Sequence, residues 1–238
     1  MGRFVGIEIN KANTLITLGS MYKNAAEAIK EYVSNALDEW AIASNAGKVT
    51  GPCTVQFNLS KNSITIDYNA PGMDEQGFIN ALKHVVDSPK PELGTTQIGS
   101  LGIGLWAFNQ VGSQATFYSK KNDISPTIKV TLRRDSAEAE FDMPLSSEER
   151  TSPGVTIVIQ DLLQDPTKTH GPLSQTRLRH ILADRFDSYL RTEQLEITII
   201  SDKINVRVEP IRLDLPEIRA GSREGCLASD STKVFKTK

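Results

Sequence analysis

The chain has 238 residues, of which 39% are hydrophobic and 24% are charged, and its formal net charge is -2. These values are typical of a soluble globular protein, and they argue against wholesale disorder and against a uniformly basic surface for nucleic acid. The two cysteines lie far apart, which argues against a disulfide framework or a cysteine-rich zinc site. No segment has the roughly 20 consecutive apolar residues of a membrane-spanning helix, so we expect a cytoplasmic protein.

The N-terminal region predicts an arm followed by a long helix. The first twenty residues mix short apolar and polar runs and predict an initial strand or arm. Asn24 and Glu27 have the spacing of a capping box, and a helix is predicted from about residue 24 to 44. On this helix, spacings of four and three place three polar residues on one face, opposite the apolar one: Glu31, Asn35 and Asp38. Such a face can hold a magnesium ion and a water molecule.

A β-hairpin is predicted next, because apolar and polar residues alternate over 55–59 and 64–66 on either side of a polar turn. It delivers Asp67 to the end of a strand, directly before the turn-forming run from Tyr68 to Met73. A strand-end carboxylate beside a turn is well placed to contact a ligand.

A glycine-rich loop follows the next predicted helix, which covers about residues 74–86. The Pro- and Gly-containing stretch 87–97 is interpreted as a mobile lid. The run I-G-S-L-G-I-G-L, from Ile98 to Leu105, then spaces glycines at 99, 102 and 104 before a short predicted helix. Glycine backbone N–H groups and a helix N-terminus can approach a polyphosphate closely.

The remainder of the chain predicts four strands near 113–120, 126–134, 138–143 and 154–160, an amphipathic helix around 178–189, and a strand pair at 195–200 and 204–208. Periodicity fades beyond about residue 212. We therefore predict one domain over 1–210 and a linker, tail or start of a following domain over 211–238. The predicted fold is α/β (α+β): a two-layer sandwich in which helices cover one face of a mixed, mostly antiparallel sheet.

Two of these segments carry a family resemblance. Glu31, Asn35 and Asp38 match the helix pattern E-x-x-x-N-x-x-D, and residues 98–108 match I-G-x-x-G-x-G followed by a short helix. Over roughly residues 20–200 the chain resembles the Bergerat-fold (GHKL) ATPases, which include DNA gyrase B subunits, ninety-kilodalton heat-shock chaperones, MutL-type repair proteins, MORC proteins and histidine kinases. The resemblance implies ATP and Mg2+ as ligands.

The resemblance also implies roles for the residues of both motifs. Glu31 would be the general base that orients and deprotonates the attacking water. Asn35 would coordinate magnesium through its side-chain oxygen, and Asp38 would support the pocket through water or nucleotide contacts. The lid, taken as about residues 87–104, would close over the phosphates with its glycine loop, which comprises Gly99, Ser100, Leu101, Gly102, Ile103 and Gly104.

For the base of the nucleotide, the resemblance points to the end of the hairpin. The strand-end aspartate of the family accepts a hydrogen bond from the adenine amino group, which implies Asp67, with Gly72 and Met73 in the turn. The family turn reads D-x-G-x-G, whereas D-Y-N-A-P-G-M reads as one residue longer, so either Asp67 is displaced or Asn69 shares the contact. The second expected adenine contact is Thr156; the family places threonine directly after the glycine, where this chain has valine.

Three functions follow from the resemblance. The first is magnesium-dependent ATP binding and hydrolysis that drives lid closure and either dimerisation or domain movement in a larger protein. The second is a non-hydrolysing, nucleotide-gated binding module. The third is a histidine-kinase-type phosphotransfer domain, which is disfavoured because only about twenty residues precede the first long helix. The expected partners are ATP, a second copy of the chain, and a following domain or client protein; the net charge does not support nucleic acid.

Overall fold

The computed structural model describes residues 11–19, 21–83, 104–202 and 204–211. The helices are α1 (Lys11–Gly19), α2 (Ala25–Asn45), α3 (Glu75–Lys83), a 3-10 helix (Gly104–Gln110) and α4 (Gln175–Arg191). The strands are β1 (Cys53–Leu59), β2 (Ser63–Tyr68), β3 (Gly112–Lys120), β4 (Ile128–Arg133), β5 (Ala139–Asp142), β6 (Gly154–Leu162), β7 (Leu195–Ser201) and β8 (Ile204–Arg207).

The strands form one eight-stranded sheet in the order β5-β4-β3-β6-β2-β1-β7-β8. The β1–β7 pair is parallel, and the other neighbouring pairs in the described sheet are antiparallel. The parallel pair arises because the chain returns to β1 through α4, a crossover that a short hairpin cannot make. The predicted mixed, mostly antiparallel sheet is confirmed.

The helices pack on one face of this sheet. The predicted start of α2 is confirmed, since Asn24 Oδ1 accepts a hydrogen bond from Glu27 N at 3.0 Å and so satisfies a free N–H group of the first turn. Tyr32 of α2 and Phe78 of α3 both meet Phe117 of β3 edge to face, with ring centroids 6.3 and 5.8 Å apart. The buried apolar residues form one continuous cluster between the two layers.

The prediction of a strand or arm at the N-terminus was wrong for residues 11–19, which form α1. The apolar and β-branched run Thr14 to Leu18 favoured a strand, but two contacts hold it as a helix. Thr17 Oγ1 donates to Asn13 O, one turn back, at 2.8 Å. Asn109 Nδ2 of the 3-10 helix donates to Leu15 O at 3.2 Å. Tertiary docking thus overrides the local preference.

Most of the lid predicted over 87–104 and of the tail predicted over 211–238 lies outside the described residues; Gly104 and Ile211 are the members that the structure describes. Across the described part of the chain, no helix combines the length and apolarity needed to cross a membrane.

Replacing Phe117 by alanine is expected to lower the free energy of unfolding by about 3–5 kcal/mol, because the ring joins two helices to the sheet and leaves a cavity when it is removed. Urea denaturation measures the loss. Phe141→Ala is the matched control, since that ring lies on edge strand β5 and is 37% exposed, against 2% for Phe117. Equal losses in the two variants would contradict a core centred on Phe117 rather than on the sheet edge.

Candidate functional site

The site is built on the polar face of α2. Ile29, Val33 and Ala36 are buried against the sheet, and the residues that follow the opposite side of the helix are half-buried. That opposite side carries the three predicted polar residues, Glu31, Asn35 and Asp38. A helix that buries its apolar side and keeps polar groups half-buried on the other can bind a ligand without losing its packing.

Asn35 lies against the end of the glycine-rich segment. A Cβ atom at Gly104 would come within 2.9 Å of Asn35 Nδ2 and 3.5 Å of its Oδ1. Leu105, the residue after Gly104, also contacts α2, since the Tyr32 hydroxyl donates to Leu105 O at 3.5 Å. The structure therefore brings together the described end of the second motif and the middle of the first. The other predicted loop residues lie outside the described residues: Gly99, Ser100, Leu101, Gly102 and Ile103.

The surroundings of Glu31 make it a stronger base than an exposed glutamate. Partial burial raises the pKa of its carboxyl, and the nearby negative charges of Glu27 and Asp38 raise it further. Lys30 and Arg185 act in the opposite direction, but the net shift is upward. A carboxylate with a raised pKa is better suited to accept a proton from water than an ordinary glutamate.

Asp67 and Thr156 lie on the other face of the sheet, so the structure does not bring them to the polar face of α2. Tyr32 of α2 packs on Phe117, so the Phe117 side of the sheet faces the helices. Phe117 pairs with Ile157 of β6. Thr156, the neighbour of Ile157, therefore points away from the helices, and so does Asp67, its partner in β2.

On that outer face, Asp67 and Thr156 are held by Arg150. The guanidinium donates to Asp67 Oδ1 at 2.5 Å and also to Thr156 Oγ1, and the Thr156 hydroxyl donates to Asp67 Oδ1 at 2.5 Å. The Arg150 side chain is 12% exposed and that of Asp67 is 43% exposed. Sequence reasoning did not single out Arg150, because it comes from the connection between β5 and β6 and no motif links it to Asp67.

Tyr68, rather than Asp67, occupies the helix side at the end of β2. The pairing of β2 with β6 runs without interruption from Ser63 to Tyr68, where Tyr68 lies opposite Val155. Because side chains alternate, Ile64, Ile66 and Tyr68 are buried on the helix side. The reading of D-Y-N-A-P-G-M as one residue longer placed Asp67 one position out of register. A shift by one position moves a side chain to the opposite face.

The turn after β2 is occupied by structural contacts. Asn69 Oδ1 accepts from Thr54 N at 2.9 Å, and its Nδ2 donates to Pro52 O at 3.0 Å, which ties the turn to the start of β1. A Cβ at Gly72 would collide with Ser119 Oγ and approach Gly154 O to 2.9 Å. Met73 N donates to Ser119 Oγ at 2.8 Å. These contacts position the turn, and the structure does not bring Asn69 to the polar face of α2.

The donor set fits one half of a magnesium nucleotide. Asn35 offers an amide oxygen next to Gly104, whose missing Cβ keeps the backbone there open to a close approach, and this combination suits a metal and phosphate groups. Magnesium retains waters and substrate oxygens, so it does not need a cage of protein ligands. In the described residues, no three His, Cys, Asp or Glu side chains converge as a metal cluster. The carboxylate expected to accept a hydrogen bond from the base, Asp67, faces away from α2.

Comparison with known families agrees with the two motifs. A family model described as "Histidine kinase-, DNA gyrase B-, and HSP90-like ATPase" matches residues 22–165. The match spans α2, the hairpin, the glycine-rich segment and β3 to β6. A search of curated proteins found no match.

Replacing Asp67 by asparagine is expected to destabilise the fold by about 1 kcal/mol, because it leaves the largely buried Arg150 guanidinium without its counter-charge, while partial exposure of the carboxylate limits the loss. Chemical denaturation measures the change. The matched control is Glu140→Gln, whose partner Arg133 is 50% exposed; it should change stability by less than about 0.5 kcal/mol. The placement on the outer face would be contradicted if Asp67→Asn abolished nucleotide binding while leaving stability unchanged.

Proposed function

Because this chain belongs to the histidine kinase-, DNA gyrase B- and HSP90-like ATPase family, we propose that it binds magnesium and ATP on the polar face of α2 and hydrolyses the terminal phosphate. The observation that carries the proposal is the proximity of Gly104 to the Asn35 side chain, since a Cβ at Gly104 would come within 2.9 Å of Asn35 Nδ2. Two motifs separated in sequence meet there, and both contain groups suited to a metal-bound polyphosphate.

Asn35 is the residue that would hold magnesium, through Oδ1. When bound, the ion would neutralise part of the phosphate charge. The backbone at Gly104 and the preceding glycines would approach the phosphate oxygens, since no Cβ keeps them apart. Asp38, on the same side of α2, would take part through a water or the nucleotide. These roles involve only the polar face of α2, formed by Glu31, Asn35 and Asp38, and the glycine-rich segment that ends at Gly104.

Glu31 would take the proton from the attacking water. It lies one helical turn before Asn35, so both side chains lie on the same side of α2. Partial burial, with the nearby charges of Glu27 and Asp38, raises its pKa, which strengthens it as a base. Water supplies the oxygen that becomes part of the released phosphate, and ADP leaves with the former bridging oxygen.

Nucleotide binding would also drive a movement. The proposed lid over 87–104 joins α3 to the 3-10 helix, and Gly104 at its end contacts Asn35. A bound triphosphate would therefore order this connection and bias the chain toward dimerisation or towards movement of a following domain. Magnesium dependence, lid closure and dimerisation are separate parts of the proposal. A non-hydrolysing module would retain the first two without phosphate release.

Replacing Asn35 by alanine is expected to weaken binding of a non-hydrolysable ATP analogue at least tenfold in magnesium and to leave the weak magnesium-free binding unchanged, because the metal loses its protein ligand. Isothermal titration calorimetry with and without magnesium measures both values. Asn45→Ala, at the exposed end of the same helix, is the control and should bind like the unmodified chain. Equal binding by all three proteins would contradict the assignment of Asn35.

Replacing Glu31 by glutamine is expected to lower phosphate release at least a hundredfold, since an amide cannot accept the proton, while affinity for ATP changes little. A phosphate-release assay and calorimetry separate the two effects. Glu138→Gln, an exposed change of the same chemistry, serves as control. Phosphate release that persists in Glu31→Gln would overturn its role as the base. ATP binding without release in the unmodified chain would favour the non-hydrolysing module, and γ-phosphate transfer to protein would favour a kinase.

The pH profile gives a second readout for Glu31. Its pKa is raised above the ordinary value of 4.5, so the protonated, inactive form persists to a higher pH than for an exposed glutamate. Hydrolysis should therefore decline on acidification with a midpoint above 4.5, and the residual activity of Glu31→Gln should lack this limb. An acid limb that is identical in the variant would assign it to another group.

A further inference from the structure

One edge of the sheet is open and apolar on its helix side. β5 pairs with β4, and in the described sheet no strand pairs with its other side, where alternate backbone N–H and C=O groups point outward. Phe141 of β5 pairs with Val130, which pairs with Phe117, so Phe141 lies on the helix side. Its ring is 37% exposed, and Met143 just beyond β5 is 87% exposed. The edge therefore offers apolar contact as well as backbone hydrogen bonds.

The outer side of the same edge is acidic. Glu140 and Asp142 alternate with the apolar residues of β5, so they point to the outer side, and both are exposed. Lys129 lies opposite Asp142 but is paired with Glu148. Arg133, which is paired with Glu140, is 50% exposed, so this ion pair is open to water. Both carboxylates of the edge are therefore accessible to a further cation.

These charges disfavour pairing between the β5 strands of two copies. When two antiparallel strands keep their helix sides together, residues of the same face stand opposite each other. A register centred on Phe141 would place Glu140 opposite Asp142 of the other copy. A register centred on Glu140 or on Asp142 would place that residue opposite its own counterpart. Like charges directly opposite destabilise a strand pair, so the edge favours a strand that carries cations.

One stretch of the chain outside the described residues has the complementary pattern. Residues 232–238 read T-K-V-F-K-T-K, with three lysines, no acidic residue, and Thr, Val and Phe, which favour strands. The other long stretches outside the described residues each contain at least one acidic residue. In a strand, alternation places Phe235 on one face and Lys236 and Lys238 on the other. This segment therefore matches both sides of the β5 edge.

The connection is long enough for a contact within one chain. Ile211 N donates to Asp187 Oδ1 of α4 at 2.8 Å, and α4 packs on β7. β5 lies six positions from β7 in the sheet, which is about 29 Å at about 4.8 Å per strand. The twenty residues 212–231 reach about 66 Å when fully extended. The basic segment can therefore reach β5 without displacing α4.

We propose that residues 232–238 bind along β5 of the same chain and add a strand to the sheet. In this arrangement Phe235 lies beside Phe141 on the helix side, and the lysines of the other face lie next to the carboxylates of β5. Backbone hydrogen bonds supply affinity, and the contrast between the two faces sets the register. The added strand covers apolar residues that an open edge offers to other chains.

Hydrogen–deuterium exchange tests the contact. Deletion of residues 232–238 should speed exchange of the β5 N–H groups that point away from β4 by about tenfold or more, because these groups lose their acceptors. β8, the other edge strand of the described sheet, is the control and should exchange equally in both chains. Unchanged exchange of β5 after the deletion would overturn the proposal. Protection of β5 that rises with protein concentration would also overturn it, since the added strand would then come from a second copy.

Charge reversal tests the cause. Lys236→Glu combined with Lys238→Glu should speed exchange of β5 as the deletion does, because carboxylates then face carboxylates. Lys48→Glu combined with Lys61→Glu makes the same change in net charge at two exposed positions elsewhere, and it should leave β5 exchange unchanged. Protection of β5 that survives the first pair of substitutions would contradict the charge pairing.

Reversal of the edge itself gives the rescue. Adding Glu140→Lys and Asp142→Lys to the variant with two new glutamates restores opposite charges and should restore the protection of β5. Circular dichroism checks that this fourfold variant folds; if it does not, the deletion and the lysine variants still decide the question. A folded fourfold variant with unprotected β5 would contradict the proposed pairing.

Discussion

Alternation of side chains along β2 is the constraint on which the chemistry of this domain depends. A strand turns successive residues to opposite faces, and β2 is hydrogen-bonded on both sides, so its register cannot drift. Ile64 and Ile66 must be buried under the helices, which commits Tyr68 to the same side and Asp67 to the other. The carboxylate is thus excluded from the helix side by the burial of its neighbours, whatever its own preference.

The helix layer depends on α2 in a similar way. One side of α2 is anchored through Tyr32, whose ring packs on Phe117 and whose hydroxyl donates to Leu105 O. That single residue connects the sheet, the helix and the start of the 3-10 helix. Because these three parts are held together, Gly104 lies close to Asn35, and a Cβ there would come within 2.9 Å of Asn35 Nδ2. The geometry of the proposed phosphate site therefore follows from packing on the far side of the same helix.

The outer face of the sheet has its own polar network, which explains why charged strand residues there need no ligand. Glu148 accepts from the Tyr118 hydroxyl at 2.7 Å and pairs with Lys129, whose ammonium also lies over the Tyr118 ring. On the same face, Arg150 forms a second ion pair, with Asp67 of β2. These contacts fasten the β5–β6 connection onto the sheet. They stabilise the fold in a region where the family resemblance implied an adenine contact.

Local patterns in the sequence were sufficient for much of the architecture. Period-two and period-3.6 spacings predicted the hairpin, the strands β3 to β8 and the helices α2 and α4, because burial of one side is imposed residue by residue. The polar strip Glu31, Asn35 and Asp38 also follows from helix geometry alone. The sequence also predicts a short helix after the glycines and a cap at Asn24 for the start of α2, and both predictions are confirmed.

Tertiary structure alone decided which face each strand residue takes and which distant groups meet. The sequence cannot show that Arg150 reaches Asp67, since that contact depends on how the β5–β6 connection lies over the sheet. Nor can a turn motif show its own register; the pairing with β6 did so, and it exchanged Asp67 for Tyr68 on the helix side. Short-range periodicity determines whether a segment is a helix or a strand, whereas the alignment of one strand with another determines which chemistry faces the site.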